Sequence, residues 1–376
     1  MPATRRAVTV GWPAEVGVAW AWRCRAIATG SLTSPSVSRT TAPIIEVNAG
    51  ALDVVGIGNA LVDVLSHGTD GLLAELDLVK GSMNLIEADR VEYLYERMGA
   101  GIEVSGGSAA NTMAGVASFG GMSQYLGKVR DDQLGAVFAH DMVATGVRYE
   151  TPKASTGPST GCCLVLVSPD AQRTMSTYLG ASSLFGPEDV DADAVASGTV
   201  LYLEGYLFDR PEAQEAFRKA ARVAHDAGRI VSVTLSDSFC VQRHHDAFLD
   251  LVDHHVDLLF ANEAEITALY GSDFDAAVDA VRRSGTVAAL TRSEKGSVVV
   301  TGDALVEVPA HPVADVVDTT GAGDLYAAGF LYGFSRQMDL ATCGALGSLA
   351  AAEVISHMGP RPEASLQELA GQILAD

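Results

Sequence analysis

The sequence is poor in cysteine and in long apolar runs, and each shortage removes a class of protein. It has five cysteines in 376 residues, with no Cys-x-x-Cys pair and no histidine spacing typical of a zinc site. No stretch approaches the roughly 20 apolar residues that cross a bilayer. We therefore expect a cytoplasmic protein with reduced cysteines and no membrane partner.

Positive charge is also scarce. Lysine and arginine number 25 against 47 acidic residues, for a net charge of −22. This charge argues against nucleic acid as a partner, because phosphate backbones are bound by Lys/Arg surfaces. A small anionic substrate stays possible, since a local positive site can lie on an acidic protein. Apolar residues make up 48%, enough for the core of one large α/β domain with a small appendage.

The first 48 residues differ in composition from the rest. They are rich in arginine, serine, threonine and alanine but contain only two acidic residues, Glu15 and Glu46. Three interpretations stay open: a disordered extension, an organellar transit peptide, or upstream sequence from a wrongly assigned start. We predict a disordered extension over residues 1–48 and a folded domain over residues 49–376.

Short apolar runs alternate with helical stretches through most of that domain. The predicted strands are Leu52–Gly58, Val200–Leu203, Ile230–Leu235, Leu258–Ala261 and Val287–Leu290. Helical stretches such as Glu212–Ala227 and Phe274–Arg283 lie between them. Strands that alternate with helices predict a mostly parallel sheet covered on both faces, with ligands beyond the carboxyl ends of the strands.

Two segments break this rhythm and predict a small antiparallel lid. Gly161–Val167 and Arg173–Leu179 flank a Ser-Pro-Asp-Ala turn, as in a β-hairpin. Residues 63–104, which contain Lys80–Ile86, are also unlike a βαβ unit. We place the lid at about residues 61–109 and 157–179. A lid that closes over a substrate excludes water, which matters when hydrolysis competes with transfer.

Residues 318–324 (Asp-Thr-Thr-Gly-Ala-Gly-Asp) carry the strongest chemical signal. Small residues bring several backbone N–H groups to the start of an apolar helix, where they can hold an anion. Asp324, placed just before that helix, suits a base that deprotonates a hydroxyl. The combination predicts phosphoryl transfer to an alcohol. The plainer alternative is a glycine-rich turn with Asp324 as the helix N-cap.

Three further motifs join it. Residues 105–111 (Ser-Gly-Gly-Ser-Ala-Ala-Asn) open a helix, and their glycine pair lets a ligand approach the backbone. Asp63, in the stretch Gly58–Asp63 at the end of the first strand, can accept hydrogen bonds from two neighbouring hydroxyls. Asn262 and Glu265 follow a strand and suit a hydrated Mg²⁺. As plain structural alternatives, these segments are a helix cap with a tight turn and a polar helix N-terminus.

Together these motifs resemble the ribokinase/PfkB family of carbohydrate kinases, and within it the adenosine kinases most. The resemblance covers about residues 52–365, and its specific motifs are residues 106–111 and 318–324. Residues 291–296 occupy the place of the family's nucleotide-side loop, with Ser293 where glycine is frequent. The spacing of Asn59 and Asp63, and Arg173 on the hairpin, are similar to those of adenosine kinases.

The resemblance implies a ribokinase-like α/β fold, a doubly wound mostly parallel sheet with a small antiparallel β lid. It implies ATP-dependent phosphorylation of a nucleoside 5′-hydroxyl, first of all adenosine to AMP in purine salvage. Asp324 would be the base, and the N–H groups of Gly321, Ala322 and Gly323 would hold the developing charge. Arg173 would offset phosphate charge.

The remaining implied site residues fall into three groups. The acceptor would contact Asn59, Asp63, Gly106, Gly107 and Asn111. The nucleotide would contact Asn262, Thr291, Lys295, Gly296 and Thr320. Glu265 and Asn262 would hold Mg²⁺, largely through water.

Several alternatives stay open at this stage. The acceptor could be inosine, guanosine or a free sugar such as ribose or fructose. The chain could also be a nucleoside-binding protein that no longer catalyses. The presence of Asp324 and of the whole glycine-rich loop of residues 318–324, called the anion loop below, argues against this. Monomer and homodimer are both compatible with the sequence, because an exposed sheet face of the lid can pair with a second copy.

Overall fold

A computed structural model describes residues 47–170 and 172–375. The predicted extension therefore lies outside the described residues except for Val47 and Asn48. Both of these contact the folded domain: Val47 packs against its core, and the Asn48 carbonyl accepts a hydrogen bond from Arg229 Nη1 at 2.9 Å. The ordered domain thus includes two residues that the predicted boundary assigns to the extension.

The strands of the described chain are β1 (Leu52–Ile57), β2 (Leu61–His67), β3 (Met83–Leu85), β4 (Ile102–Gly106), β5 (Ser123–Leu126), β6 (Arg148–Tyr149), β7 (Gly161–Val167), β8 (Arg173–Tyr178), β9 (Gly198–Glu204), β10 (Ile230–Thr234), β11 (Leu258–Asn262), β12 (Val287–Thr291), β13 (Ser297–Val300) and β14 (Leu305–Val308). The α-helices are α1 (Asp70–Glu75), α2 (Ala88–Tyr95), α3 (Ser108–Ser118), α4 (Gln133–Ala144), α5 (Ala192–Ser197), α6 (Pro211–Asp226), α7 (Ser238–Arg243), α8 (His245–His255), α9 (Glu263–Tyr270), α10 (Phe274–Ser284), α11 (Ala322–Ser335), α12 (Leu340–Val354) and α13 (Leu366–Leu374).

The main sheet has nine strands in the order β14-β13-β12-β11-β10-β9-β1-β5-β6. Every neighbouring pair from β12 to β6 is parallel, and only β13 and β14 are added antiparallel. Strand residues alternate between two apolar clusters; Val55 lies in one and Val54 in the other. Since helices cover both faces, the predicted α/β fold with a mostly parallel sheet is confirmed.

A second sheet of five strands, in the order β3-β8-β7-β2-β4, stands apart from the main sheet. It contains the predicted hairpin, with β7 and β8 antiparallel, and β3, which lies within the predicted lid segment Lys80–Ile86 and pairs with β8. It is mixed rather than antiparallel, because β2 pairs with β7, and β3 with β8, in parallel. The helices α1 and α2 lie in the crossovers between these strands and cover the outer face of the sheet.

Cysteine state and helix hydropathy can both be described for this part of the chain. The four cysteines in the described part of the chain are free and buried, including the adjacent pair Cys162 and Cys163. Across residues 47–170 and 172–375, no helix combines the length and apolar character that a membrane span requires.

Candidate active site

Asp324 lies in the first turn of α11, not in front of the helix as the sequence predicts. The N-cap is Gly321, whose φ of 80° is in the left-handed region that glycine favours. Asp324 therefore does not cap the helix, and the plainer alternative for this motif is wrong. A side chain at position 321 would also meet Pro360, whose Cα lies 2.8 Å from the place of a Cβ. This loop requires glycine for both reasons.

Two residues of the second glycine-rich motif, residues 105–111, donate hydrogen bonds to the Asp324 carboxylate. Ser108 Oγ donates a hydrogen bond to Asp324 Oδ1 at 2.6 Å, and Asn111 Nδ2 donates to Oδ2 at 2.9 Å. Both donors lie on α3, whose N-cap Gly107 has a φ of 100°. Burial raises the pKa of Asp324, although these two hydrogen bonds and the charge of Arg361 oppose it. A general base is most effective when its pKa lies near the operating pH, and the raised pKa of Asp324 is closer to neutral pH than that of an ordinary Asp.

Free backbone N–H groups surround Asp324. Among the described residues, no acceptor meets the N–H groups of Gly321, Gly323 or Asp324 itself. The Ala322 N–H reaches only the Thr319 carbonyl, at 3.3 Å. Position 323 faces open space, where an added Cβ would meet nothing within 4 Å. The start of α11 is thus an accessible anion site beside a partly buried carboxylate.

Asp63 faces the same region from the lid, on β2. Its carboxylate lies under Gly106 so closely that a Cβ at position 106 would come within 2.6 Å of it. Burial raises the pKa of Asp63 to about 6, and the charges of Arg361 and Arg173 oppose this shift. No described residue donates a hydrogen bond to its two oxygens, which leaves them available for hydroxyl groups of a ligand.

Glu204, at the end of β9, is a site residue that the sequence analysis missed. Its carboxylate accepts hydrogen bonds from Asn59 N at 3.2 Å, Asn59 Nδ2 at 3.0 Å and Ala109 N at 2.8 Å. It therefore fixes Asn59 and the start of α3 together. Burial raises the pKa of Glu204 to about 7 despite these donors. The available signal was a carboxylate that directly ends a buried strand.

A cavity of about 490 Å³ adjoins Asn59 between the lid and the main domain. The lid lines it with Leu85, Ile86, Thr177 and Tyr178, and the main domain with Tyr206, Leu207 and Asp209. Thr177 is opposite Cys163, which is opposite Asp63, so the face of the lid that carries Asp63 continues into the cavity. Apolar walls with a few polar groups are typical of small-molecule sites.

Arg173 begins β8 and reaches the first residue of the anion loop. Its Nη2 lies 2.7 Å from Asp318 Oδ2, and both side chains are less than a tenth exposed. Burial alone would raise the pKa of Asp318, but hydrogen bonds from Gly359 and Thr320 and the charge of Arg173 lower it. The Nε of Arg173 is buried without a partner among the described residues. The lid thus presents an unsatisfied cationic donor to the anion loop.

Replacing Arg173 by Ala should lower kcat by about 10-fold or more and change the acceptor KM less, because its partner charge peaks during transfer. Steady-state kinetics with varied acceptor measures both quantities. Lys80→Ala is the matched control, since Lys80 is a lid cation whose ion-pair partners among the described residues are the surface carboxylates of Asp70 and Asp170. A larger effect on KM than on kcat would contradict this role of Arg173.

The nucleotide-side residues line a separate cavity of about 380 Å³. Asn262, Thr291 and Lys295 are among its walls, with Arg292 and Ser293 between them. Ser293 has a φ of 52°, so it adopts the left-handed conformation for which glycine is usual at this place. Gly296 ends the turn with a φ of 81°. Thr320 does not line this cavity. Its N–H and its hydroxyl both donate to Asp318 Oδ1.

Glu265 and Asn262 form a reciprocal capping box at the start of α9. Glu265 accepts from Asn262 N at 2.9 Å and from Nδ2 at 2.6 Å, and its own N–H donates to Asn262 Oδ1 at 2.9 Å. The plain structural alternative for this motif, a polar helix N-terminus, is therefore present. Burial, aided by the charges of Asp237 and Asp324, raises the pKa of Glu265 to about 7, although the hydrogen bond from the Asn262 N–H opposes the shift.

This arrangement fits a hydrated divalent cation rather than one held by several direct protein ligands. In the described chain, no three His, Cys, Asp or Glu side chains are grouped closely enough to hold a metal. Three carboxylates nevertheless repel one another near Glu265, and a cation would relieve that repulsion. Each carboxylate oxygen can accept more than one hydrogen bond, so Glu265 can still hold a metal-bound water.

The raised pKa values predict an unusual pH dependence of stability. Glu204, Glu265 and Asp63 bind protons more tightly in the folded state than in the unfolded state, where carboxyl pKa values are about 4. The free energy of unfolding should therefore fall as the pH rises from about 5 to 8. The pKa of Asp318 is lowered, so its contribution to stability is lost only when the pH falls below the pKa of an unfolded Asp. The pKa of His255 is also lowered, which makes stability rise with pH, but this is one group against the three carboxyl groups above.

Thermal denaturation of the ligand-free protein should accordingly give a Tm a few degrees higher at pH 6 than at pH 8. Phosphoryl transfer, if it occurs, should change in the opposite direction, because the roles predicted for Asp63 and Asp324 require the carboxylate form. A Tm that rises between pH 6 and pH 8 would mean that these groups are not buried as described.

The chain is similar to several kinases of known structure or name. The family model described as "pfkB family carbohydrate kinase" matches residues 78–366. The adenosine kinase structure from Sinorhizobium meliloti is 52% identical, covers 86% of this chain and 99% of its own, and superimposes with a TM-score of 0.79. A probable sugar kinase from Rhizobium etli is 49% identical, covers 86% and 98%, and has a TM-score of 0.80. The adenosine kinase of Saccharomyces cerevisiae is 26% identical over 330 residues, or 82% of this chain and 96% of its own.

The fold, with a carboxylate beside an open anion site, is that of a phosphotransferase that acts on an alcohol. The chain belongs to the pfkB family of carbohydrate kinases. Its activity is accordingly that of a nucleoside or sugar kinase, and ATP use follows from the family.

Proposed function

We propose that the protein transfers the γ-phosphoryl group of ATP to the 5′-hydroxyl of adenosine, giving AMP. The observation that carries the proposal is the position of Asp324. It is a partly buried carboxylate with a raised pKa, held by Ser108 and Asn111 next to the free N–H groups at the start of α11. A hydroxyl placed there has a proton acceptor on one side and an anion site on the other.

The reaction needs little covalent chemistry from the protein beyond proton transfer and charge stabilisation. Asp324 accepts the proton of the attacking 5′-hydroxyl, and the N–H groups of Gly321, Ala322 and Gly323 stabilise charge on the transferred group. Arg173 offsets further charge from the lid side. When bound, Mg²⁺ neutralises phosphate charge; Glu265 and Asn262 would hold it through water.

Asp63 and the neighbouring cavity support a nucleoside over a free sugar. The free oxygens of Asp63 suit the 2′ and 3′ hydroxyls of a ribose, with Gly106, Gly107 and Asn111 around it. The cavity of about 490 Å³ beyond Asn59 offers apolar and aromatic walls to a base, which a free sugar would leave unfilled. The S. meliloti relative, named adenosine kinase, agrees with this preference.

Other parts of the account stay predictions. A role in purine salvage, a cytoplasmic location and a monomeric or homodimeric state all follow from the sequence analysis alone. A free-sugar acceptor is the main competitor, because the R. etli relative is named a probable sugar kinase.

Comparison of kcat/KM across an acceptor panel tests the proposal. Adenosine should exceed inosine and guanosine, and all three should exceed ribose and fructose, because only nucleosides fill the cavity. Ribose or fructose as the best acceptor would overturn the proposal in favour of a sugar kinase. Binding of adenosine without any phosphorylated product would instead favour a nucleoside-binding protein.

A further inference from the structure

Arg361 is a partly buried arginine whose Nε and Nη1 atoms are shielded from solvent. It lies in the segment after α12, and that segment is fixed to the site at two points. Gly359 N donates to Asp318 Oδ2 at 2.9 Å, and Pro360 packs against Gly321 of the anion loop. Glu353 Oε1 holds the following turn through the N–H groups of residues 363 and 364. Arg361 is thereby placed beside the anion loop by the backbone itself.

The guanidinium group of Arg361 is only partly satisfied. Its Nη2 donates to the Ser105 carbonyl at 3.0 Å and to Ser105 Oγ at 3.2 Å. Its Nε and Nη1 are buried and have no partner among the described residues. An unpaired buried charged donor is costly, so a fold that retains one at an active site has a use for its charge.

Ser105 connects Arg361 to Asp63. On β4, Ser105 lies between Val104, which is opposite Asp63, and Gly106, which covers the Asp63 carboxylate. The guanidinium therefore approaches Asp63 from the side of β4, whereas Arg173 approaches it from β8. Of these two arginines, Arg361 has the larger effect on the Asp63 carboxylate.

The charged and titratable groups around Arg361 come from several elements. They are Asp63 on β2, Asp324 on α11, Asp141 on α4 and Tyr125 on β5. Burial lowers the pKa of Arg361 to about 10, while these groups oppose the shift, so the guanidinium stays charged at neutral pH. It is a fixed positive charge between the acceptor-binding carboxylate and the proposed base.

We propose that Arg361 is a positioning residue of the acceptor site, whose guanidinium keeps Asp63 ionised and in place to bind the acceptor hydroxyls. Without this charge, burial would protonate Asp63 near neutral pH, and a protonated carboxyl group can accept fewer hydrogen bonds from a diol. The proposal rests on the proposed function only for the identity of the acceptor.

Carboxyl NMR of the ligand-free protein tests the proposal directly. The Asp63 signal is assigned by its loss in Asp63→Asn and is then titrated in each variant. Arg361→Met should raise the titration midpoint of Asp63 by about one pH unit or more. Arg361→Gln, which keeps polar donors but no charge, should do the same and serves if the Met variant does not fold. Arg361→Lys should largely restore the native midpoint.

Ser105→Ala is the matched control, because it removes one hydrogen bond of Arg361 and keeps the charge. It should leave the Asp63 midpoint nearly unchanged. An Asp63 midpoint that moves in Ser105→Ala as much as in Arg361→Gln would show that packing, not charge, sets it. A midpoint that is the same in the native, Gln and Met proteins would overturn the proposal.

Kinetics then separates this inference from the proposed function. In Arg361→Gln the acceptor KM should rise about threefold or more at pH 6.5, the change in ionised fraction that a one-unit rise from a pKa of about 6 gives, and recover towards pH 8.5 as Asp63 ionises again. In an Asp63→Asn background, Arg361→Gln should add little. If the NMR midpoint moves but the native protein phosphorylates no nucleoside, the proposed function fails and the role of Arg361 stands. If nucleosides react and the midpoint does not move, only the role of Arg361 fails.

Discussion

Replacing Asp324 by Asn lowers kcat by about 10²–10⁴-fold and leaves the fold intact, because the variant keeps the shape of the side chain but not its proton acceptor. The structure gives a reason to expect the upper part of this range. Both oxygens of Asp324 are engaged, by Ser108 and by Asn111, so the carboxylate is held in a fixed orientation. Single-turnover measurement of phosphoryl transfer reports the chemical step itself.

Asp339→Asn is the control for this result. Asp339 is also a carboxylate at a helix start: it caps α12 by accepting a hydrogen bond from Thr342 N. Asn caps helices about as well as Asp, so this variant should keep native kcat and native stability. If Asp324→Asn were to turn over at a near-native rate, Asp324 could not be the base.

Removing either ribose hydroxyl from the acceptor produces the second large effect. The 2′-deoxy and 3′-deoxy analogues of adenosine should lose about 10²-fold or more in kcat/KM, because the partly buried Asp63 carboxylate then lacks a donor. In Asp63→Asn, adenosine itself should react poorly and the gap to its deoxy analogues should narrow. Equal reaction of adenosine and 2′-deoxyadenosine with the native protein would contradict the assignment of Asp63.

The sequence predicted most of the fold because its signals are local. Each strand from β9 to β12 is a short apolar run, and each was placed within three residues of its observed ends. The parallel pairing of β2 with β7 in the lid was not predictable in this way. It depends on a partner about 100 residues further along the chain, and a hairpin pattern says nothing about which strand lies on its other side.

The site divides in the same manner. Asp324 and Asn111 lie in glycine-rich motifs, so the neighbouring residues predict their chemistry. Glu204 and Arg361 carry no motif; their importance comes from burial and from partners more than 90 residues distant in sequence. Glu265 shows the converse, since the same spacing from Asn262 suits a capping box and a hydrated metal, and only the first can be seen in the hydrogen bonds.

The most direct test of the account is identification of the product formed from adenosine and ATP-Mg²⁺ by the native protein. The account predicts 5′-AMP and ADP in equal amounts, no product from 5′-deoxyadenosine, and a loss of both products in Asp324→Asn. Release of ADP and inorganic phosphate without a phosphorylated nucleoside, or phosphorylation at a position other than the 5′-hydroxyl, would contradict it.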